Sequence, residues 1–227
     1  MKQKIMTYLI VIFASLMISS NFLYSAPKPS INCPQGFVHL VKYVMVNING
    51  TLCQYRVDLC VQCPAGTNQP QFNVILATYE PYPINCGFNP SAAKDSIINI
   101  ITNLDWITQN IGTDCFAGWG PCPENAVTVT GVTPLCWKKI KYEDDDHSVK
   151  IIYAACYEEG CTCQQDKIIC WNGTSFDIIV SNYYLNPTGC ISPCENIEEP
   201  DDNTIPDPTL ENPFPESVCF GQESPCK

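Results

Sequence analysis

The sequence predicts a disulfide-rich α+β fold. Its strands are predominantly antiparallel, and one long amphipathic helix, at about residues 90–111, packs on the sheet. Three observations support this prediction. Sixteen cysteines follow an apolar N-terminal leader, two Asn-Gly pairs separate strand-like runs, and one segment repeats its apolar residues at helical spacing.

The N-terminus has the pattern of a secretory signal peptide. Lys2 and Lys4 precede an apolar run at residues 6–17, a usual length for a signal sequence and short of the ~20 residues of a membrane span. Cleavage after Ser25 fits best, because Pro27 disfavours cleavage at the next bond. We therefore predict a signal peptide over residues 1–25, with a retained N-terminal anchor as the alternative. The mature chain is then secreted to the extracellular space, the cell surface or a periplasm, and has no membrane span.

The charge of the chain restricts its partners. There are 12 basic and 23 acidic residues, which give a formal net charge of −11. A phosphate backbone is repelled by such a field, so we expect no nucleic-acid partner. A protein or a glycan at the cell exterior is compatible with it, and the charge alone also helps an exported protein to stay in solution.

The cysteines are even in number and all follow the leader. In an exported protein we expect disulfides, each worth ~2–4 kcal/mol against the ~5–15 kcal/mol net stability of an ordinary domain. Cys60-Val-Gln-Cys63 and Cys161-Thr-Cys163 also have the spacing of metal half-sites, and the first has that of a redox dithiol. Zinc requires reduced thiolates, which export opposes, and the redox dithiol lacks the strand-to-helix context that lowers a thiol pKa. We therefore predict no zinc and no other cofactor. The expected disulfide cysteines are Cys33, Cys53, Cys60, Cys63, Cys86, Cys115, Cys122, Cys136, Cys156, Cys161, Cys163, Cys170, Cys190, Cys194, Cys219 and Cys226.

Two hairpins are predicted from the same turn signal. Asn49-Gly50-Thr51 lies between β-prone runs within residues 37–60, and Asn172-Gly173-Thr174 lies between similar runs within residues 168–180. Both triplets are also glycosylation sequons, at Asn49 and Asn172. An internal duplication would explain the repeat, and independent use of a favoured turn is the alternative.

Four more strands are predicted, at residues 72–79, 127–132, 135–142 and 149–157. The last two flank an acidic run from Glu143 to Asp146, which places four carboxylates at a hairpin tip. Clustered carboxylates suit calcium, so Asp144, Asp145 and Asp146 are a calcium candidate, although the run lacks the spacing and glycine of an EF-hand loop. The alternative is a solvated turn that discourages edge pairing.

The helix and the C-terminal composition define the organisation of the chain. Pro90 suits a first helical turn, and Gly112 suits a helix end. We predict one body over residues 26–194, or two β subdomains, 26–86 and 115–194, bridged by the helix. Residues 195–227 form an acidic, proline-rich C-terminal segment. Its two cysteines either close a small loop on each other or pin the segment to the body. The apolar face of the helix comprises Ile97, Ile98, Ile101, Leu104, Ile107 and Ile111.

No catalytic motif is present in the sequence. The two histidines are His39, in a strand-like run, and His147, at the acidic tip; neither accompanies a nucleophile elbow or a metalloprotease motif. A hydrolase would therefore depend on paired carboxylates. The candidates are scattered along the chain: Asp58, Asp105, Asp114 and Asp177.

Aromatic side chains are the remaining signal. Trp119 lies in a Gly- and Pro-rich run, and Tyr183 and Tyr184 are two adjacent aromatics further along the chain. Exposed aromatics stack on sugar rings and anchor interfaces, so these three are candidate binding residues. The function predicted first is a secreted or cell-surface structural or interaction protein without catalytic activity. The alternatives are a carbohydrate- or ligand-binding module that uses these aromatics, and a secreted hydrolase that uses paired carboxylates.

Overall fold

The computed structural model describes residues 28–48, 50–63, 71–82, 90–111, 126–156, 161–174, 176–194, 196–222, 224 and 226. Several predictions fall outside these residues: the signal peptide over residues 1–25, and those for Asn49, Cys86, Gly112, Asp114, Cys115, Trp119 and Cys122.

Strands dominate the described chain, and their predicted positions are confirmed. The hairpin β1–β2 consists of Val38–Ile48 and Thr51–Gln62, and β3 is Gln71–Pro81. After the helical segment come β4 (Val127–Pro134), β5 (Cys136–Glu143), β6 (Val149–Ala155), β7 (Thr162–Trp171) and β8 (Phe176–Asn186). A two-residue strand, β9 (Phe220–Gly221), and a short 3₁₀ turn (Asp202–Thr204) lie in the C-terminal segment.

All nine strands belong to one sheet that forks at β3. One edge of β3 pairs with β2. On its other edge, the N-terminal half of β3 pairs in parallel with β4, while Thr78 and Tyr79 pair antiparallel with β6. One branch then runs β4–β7–β8 and the other β6–β5–β9. Every described pairing other than β3–β4 is antiparallel, as the composition and turn signals predict.

The prediction of one long helix is wrong. The chain forms two short helices, α1 (Pro90–Ile101) and α2 (Leu104–Asn110), separated at Thr102 and Asn103. Asn103 is extended, with φ −81° and ψ 132°, and its side chain accepts hydrogen bonds from the backbone N–H groups of Asp105 and Trp106. Asparagine is among the best N-cap residues, so the local capping energy starts a new helix where the apolar spacing alone predicted continuation.

The two helices cover one face of the sheet, which we call the inner face. The predicted apolar side chains of the helices are buried there, apart from the partly buried Ile111. They pack on alternate residues of β1 to β4, including Val44, Val57, Leu76 and Val129. The alternate apolar residues of the strands and the apolar residues spaced three and four apart in the helices therefore pack together in one core.

Disulfides join the body of the sheet to its flanking segments. Five are described: Cys33–Cys60, Cys136–Cys194, Cys156–Cys219, Cys161–Cys190 and Cys163–Cys226. Cys53, Cys63 and Cys170 are disulfide-bonded as well, and the described residues include no free cysteine. Cys161 and Cys163 thus belong to different bridges, and Cys219 and Cys226 pin the C-terminus to the body. Bridges in such number are typical of proteins in oxidising compartments.

The acidic C-terminal segment lies along β5 as a strap, which we define as residues 196–218. Lys139, which is buried, binds Glu199 at 2.7 Å and Asp202 at 2.6 Å, and Lys141 binds Asp207 at 2.9 Å. Burial alone would lower the pKa of Lys139, but its hydrogen bonds to Asp202 and Glu199 raise that pKa above its ordinary value. After the strap the chain forms β9, which pairs with the start of β5. In the part of the chain that the structure describes, no helix has the length and apolar character needed to cross a membrane.

Candidate functional site

The outer face of the sheet, opposite the helices, contains a cleft of about 520 Å³. It extends from β3 across β4 and β7 to β8, and Phe37, which precedes β1, also lines it. The described lining residues carry amides, hydroxyls, apolar groups and one phenol, and none is charged. They are Phe37, Gln71, Asn73, Ile75, Thr130, Val132, Thr162, Gln164, Tyr184, Asn186 and Pro187.

Strand register places these side chains in rows. Ile75 pairs with Val132, Val132 with Gln164, and Gln164 with Tyr184, so one row crosses four strands. Alternate residues of a strand point to the same face, so the neighbouring positions two residues away extend the same surface. The apolar pair Ile75 and Val132, packed with Phe37, forms the centre of the cleft.

Amide side chains form one side of the cleft. Gln71 Nε2 donates to Asn73 Oδ1 at 3.3 Å, and Asn73 Nδ2 donates to Gln62 Oε1 at 3.2 Å. Each carboxamide carries two N–H donors and a carbonyl with two lone pairs, so this chain of bonds leaves hydrogen-bonding capacity toward the cleft. The bonds also restrict the rotamers of all three side chains, which lowers the entropy lost on binding.

Tyr184 forms the opposite side and is held by its hydroxyl group. The phenol donates to Asp166 Oδ2 at 2.8 Å, and Thr130 Oγ1 donates to Asp166 Oδ1 at 2.7 Å. Partial burial, followed by this bond to Asp166, raises the pKa of Tyr184 to about 12, so the phenol stays neutral at physiological pH. The anchored ring presents a partly exposed apolar surface in the cleft.

The two candidate tyrosines do not form one site. Tyr183 and Tyr184 are 39% and 40% exposed, yet they lie on opposite faces of β8 because successive strand residues alternate. On the inner face, Tyr183 Oη accepts from Gln165 Nε2 at 2.5 Å and donates to Asn99 Oδ1 at 3.4 Å. Only Tyr184 lines the cleft, and Trp119 lies outside the described residues.

Two acids of the calcium candidate, Asp144 and Asp146, are already engaged in ion pairs or hydrogen bonds at the β5–β6 turn. Asp144 binds Lys150 and Lys28, and Asp146 accepts from the N–H and hydroxyl of Ser148. Burial alone would raise the pKa of Asp144, but Lys150, the backbone and Lys28 hold it below its ordinary value. Asp145 is exposed. Within the described residues, no group of three or more His, Cys, Asp or Glu side chains is arranged to hold a metal ion.

The candidate carboxylates for hydrolysis are also dispersed. Asp105 is exposed at the start of α2, and Asp177 accepts from Asn172 Nδ2 at 2.8 Å in the exposed β7–β8 turn. Thr174 donates to Asn172 Oδ1 through both its backbone N–H and its hydroxyl. Asp58 lies on a different element, β2, within a cluster of charged residues on the outer face.

This cluster is centred on Arg56. Its guanidinium lies 3.2 Å from Asp58 Oδ2 and 3.1 Å from Glu80 Oε1, and the two carboxylates are only 1% and 3% exposed. His39 Nε2 lies 2.8 Å from Asp58 Oδ1, and Tyr142 donates to Glu80 Oε2 at 2.6 Å. Both carboxylates are thus already paired, Asp58 with the exposed His39 and both acids with the partly buried Arg56, and we interpret the cluster as a structural network.

Sequence reasoning missed most residues of the cleft. Gln71, Asn73, Gln164 and Asn186 each stand at an alternate position of a strand, where the pattern predicts only a solvated face. A usable signal was present, because these outward positions carry amides and hydroxyls where an acidic chain would be expected to place charges. Comparisons of the chain with models of known protein families, with curated proteins and with solved structures yielded no match.

Proposed function

We propose that the protein is a non-catalytic, secreted binding protein whose outer-face cleft binds a neutral saccharide. The observation that carries this proposal is the uncharged lining of the cleft in a chain of net charge −11. Amide and hydroxyl groups donate and accept hydrogen bonds, as sugar hydroxyls do. An anionic ligand would instead require basic side chains, and none is among the described lining residues.

The apolar groups of the cleft suit the other surface of a sugar ring. Tyr184 and Phe37 stand at two sides of the apolar centre formed by Ile75 and Val132. Pyranose C–H groups pack on such surfaces, while hydroxyls reach the amides of Asn73 and Gln164. The volume of about 520 Å³ lies within the ~300–1,000 Å³ usual for small-molecule sites.

Binding without catalysis is favoured by the chemistry of the lining. Acid–base catalysis requires a positioned group that exchanges protons near neutral pH. The described lining residues include no carboxylate, histidine, lysine or cysteine. Asp166, the nearest acid in the network of Tyr184, already accepts from Thr130 and Tyr184.

A glycan array followed by titration calorimetry tests this function. Tyr184→Ala should weaken binding of the selected neutral saccharide at least about tenfold, which corresponds to ~1.4 kcal/mol. Tyr184→Phe, which keeps the ring, should have a smaller effect. Tyr183→Ala is the matched control, since Tyr183 is equally exposed on the same strand but lies on the other face. The proposal fails if no neutral glycan binds, or if the two alanine variants weaken binding equally.

A further inference from the structure

The outer edge of β8 has no partner strand among the residues that the structure describes. β8 runs for eleven residues, Phe176–Asn186, and pairs with β7 along one edge. At its other edge, no strand of the described residues is present. Its outward N–H and C=O groups therefore form a template for a further strand.

The side chains of β8 are unusually exposed and nearly uncharged. Ile178 and Ile179 are 56% and 50% exposed. The strand contains a single ionisable acid or base other than tyrosine, Asp177, at its start. Natural edge strands are commonly protected by lysines, prolines or bulges that oppose pairing. β8 carries neither lysine nor proline, and its one register shift, at Ile179, lies near its start and leaves residues 180–186 in regular pairing.

We infer that β8 pairs antiparallel with β8 of a second copy of this chain, so that the protein is a twofold homodimer with one continuous sheet. Identical strands pair antiparallel about a twofold axis, which closes the assembly at two copies. Two chains of net charge −11 repel each other over most of their surfaces, and β8 offers a long edge with little charge.

The opposite edge of the sheet is less suited to self-pairing. β1 also has eleven residues and exposed apolar side chains, among them Val41 and Met45. It contains Lys42 and His39, so pairing with itself would bring two lysines into one short ladder. The charge pattern therefore favours β8 over β1 as the edge that pairs with a second copy.

This dimer would place two clefts on the same face of the sheet. A twofold axis perpendicular to the sheet keeps both outer faces on one side, and the strand spacing of ~4.8 Å puts the cleft centres, between β3 and β4 of each copy, roughly 30 Å apart. A polysaccharide could then engage both clefts, which raises its apparent affinity above that of a single site. This consequence rests on the proposed function, whereas the dimer does not.

Sedimentation velocity of the oxidised, secreted protein over a concentration series tests the dimer. The unsubstituted chain should form a dimer in the micromolar range, and Ile178→Lys with Ile179→Lys should weaken association at least about tenfold through like-charge repulsion across the ladder. Val41→Lys with Met45→Lys is the matched control on β1 and should leave association unchanged. Hydrogen exchange of the β8 backbone amides should slow with concentration, while that of β1 should not.

The inference is overturned if the unsubstituted chain stays monomeric at millimolar concentration. It is also overturned if the β8 variant associates normally, or if the β1 variant dissociates in its place. Calorimetry with a short saccharide on the monomeric β8 variant separates the two proposals. If a monomeric protein binds the saccharide, the proposed function stands without the dimer. If the protein forms the dimer but binds no saccharide, only the dimer stands.

Discussion

Thr102 occupies the space that a side chain at position Gly131 would need. A Cβ atom on Gly131 would lie only 2.5 Å from Thr102 Cγ2. Thr102 is not free to rotate away, because its hydroxyl donates to the carbonyl of Ile98 at 2.6 Å and accepts from Lys167 Nζ at 2.6 Å. The absence of a side chain on β4 thus lets the end of α1 lie directly on the sheet.

Gly131→Ala should therefore destabilise the protein by about 1–3 kcal/mol, the usual cost of overpacking a core. Urea unfolding followed by tryptophan fluorescence would measure it. Thr102→Ser removes the obstructing methyl group and keeps the hydroxyl, so the double variant should recover part of the loss. Additive effects of the two substitutions would contradict the assigned contact.

Lys167 should make stability rise with pH over a range where most proteins change little. The residue is 6% exposed, its described hydrogen bond is to Thr102, and burial lowers its pKa to about 8. Between this value and the ~10.4 of an unfolded lysine, the unfolded chain binds more protons than the native one, so the free energy of unfolding increases with pH.

The expected gain is about 1–3 kcal/mol between about pH 7.5 and 9.5. Urea unfolding at several pH values would measure it, with Lys167→Met as the comparison. The variant keeps the length of the side chain and should lose the slope. A slope of equal size in the variant would show that another group causes it.

The strands could be predicted from the sequence because their signals are local. Asn-Gly turns and β-prone runs are read within a few residues, and Gly50 and Gly173 indeed have positive φ angles, of 86° and 101°. The helix break was missed for a related reason. The apolar period continues from Ile101 to Leu104 without interruption, and only the competing preference of Asn103 for capping separates the helices.

The cleft could not be predicted, because it depends on pairing between distant strands. Asn73 and Gln164 are 91 positions apart in the numbering and meet only through the parallel β3–β4 ladder and the antiparallel β4–β7 ladder. A parallel pairing has no hairpin signal in the sequence, since its connection is long. Tyr184 could be predicted as a candidate from its residue type alone. That it lines a cleft and Tyr183 does not depends on which face of β8 carries the cleft, and this is set by the pairing of β8 with β7.

The charge cluster around Arg56 should be indispensable for stability. Replacing Arg56 by Met would leave Asp58 and Glu80 buried on adjacent strands without their shared cation. Removing one partner of a buried ion pair typically costs about 3–5 kcal/mol. Urea unfolding of Arg56→Met would measure this loss. Arg56→Lys should be intermediate, because it restores the charge without the planar guanidinium that spans both acids. A loss below 1 kcal/mol in the Met variant would contradict the assigned role.

The strap should detach from β5 when the two buried lysines of β5, Lys139 and Lys141, lose their charge. Lys139 and Lys141 each bind carboxylates and backbone carbonyls of the strap, with Lys139 Nζ 2.7 Å from Pro200 O and Lys141 Nζ 2.8 Å from Ile205 O. Lys139→Gln with Lys141→Gln removes both charges, and we expect proteolysis between Cys194 and Cys219 to become about tenfold faster or more. Mass spectrometry of the nicked, unreduced protein would detect the cleavage as the added mass of one water, since the bridges Cys156–Cys219 and Cys163–Cys226 keep the fragments attached.

Lys138→Gln provides the control for this experiment. Lys138 lies on the same strand and binds Glu216 at 2.6 Å, but both side chains of that pair are substantially exposed. Exposed ion pairs contribute about 0–1 kcal/mol, because water screens them and two long side chains must be ordered. The control should therefore be cleaved at close to the original rate. If Lys138→Gln accelerates cleavage as strongly as the double variant does, burial of the lysines is not what holds the segment. If neither variant accelerates cleavage, the two flanking disulfides together with the β5–β9 ladder are sufficient to hold it.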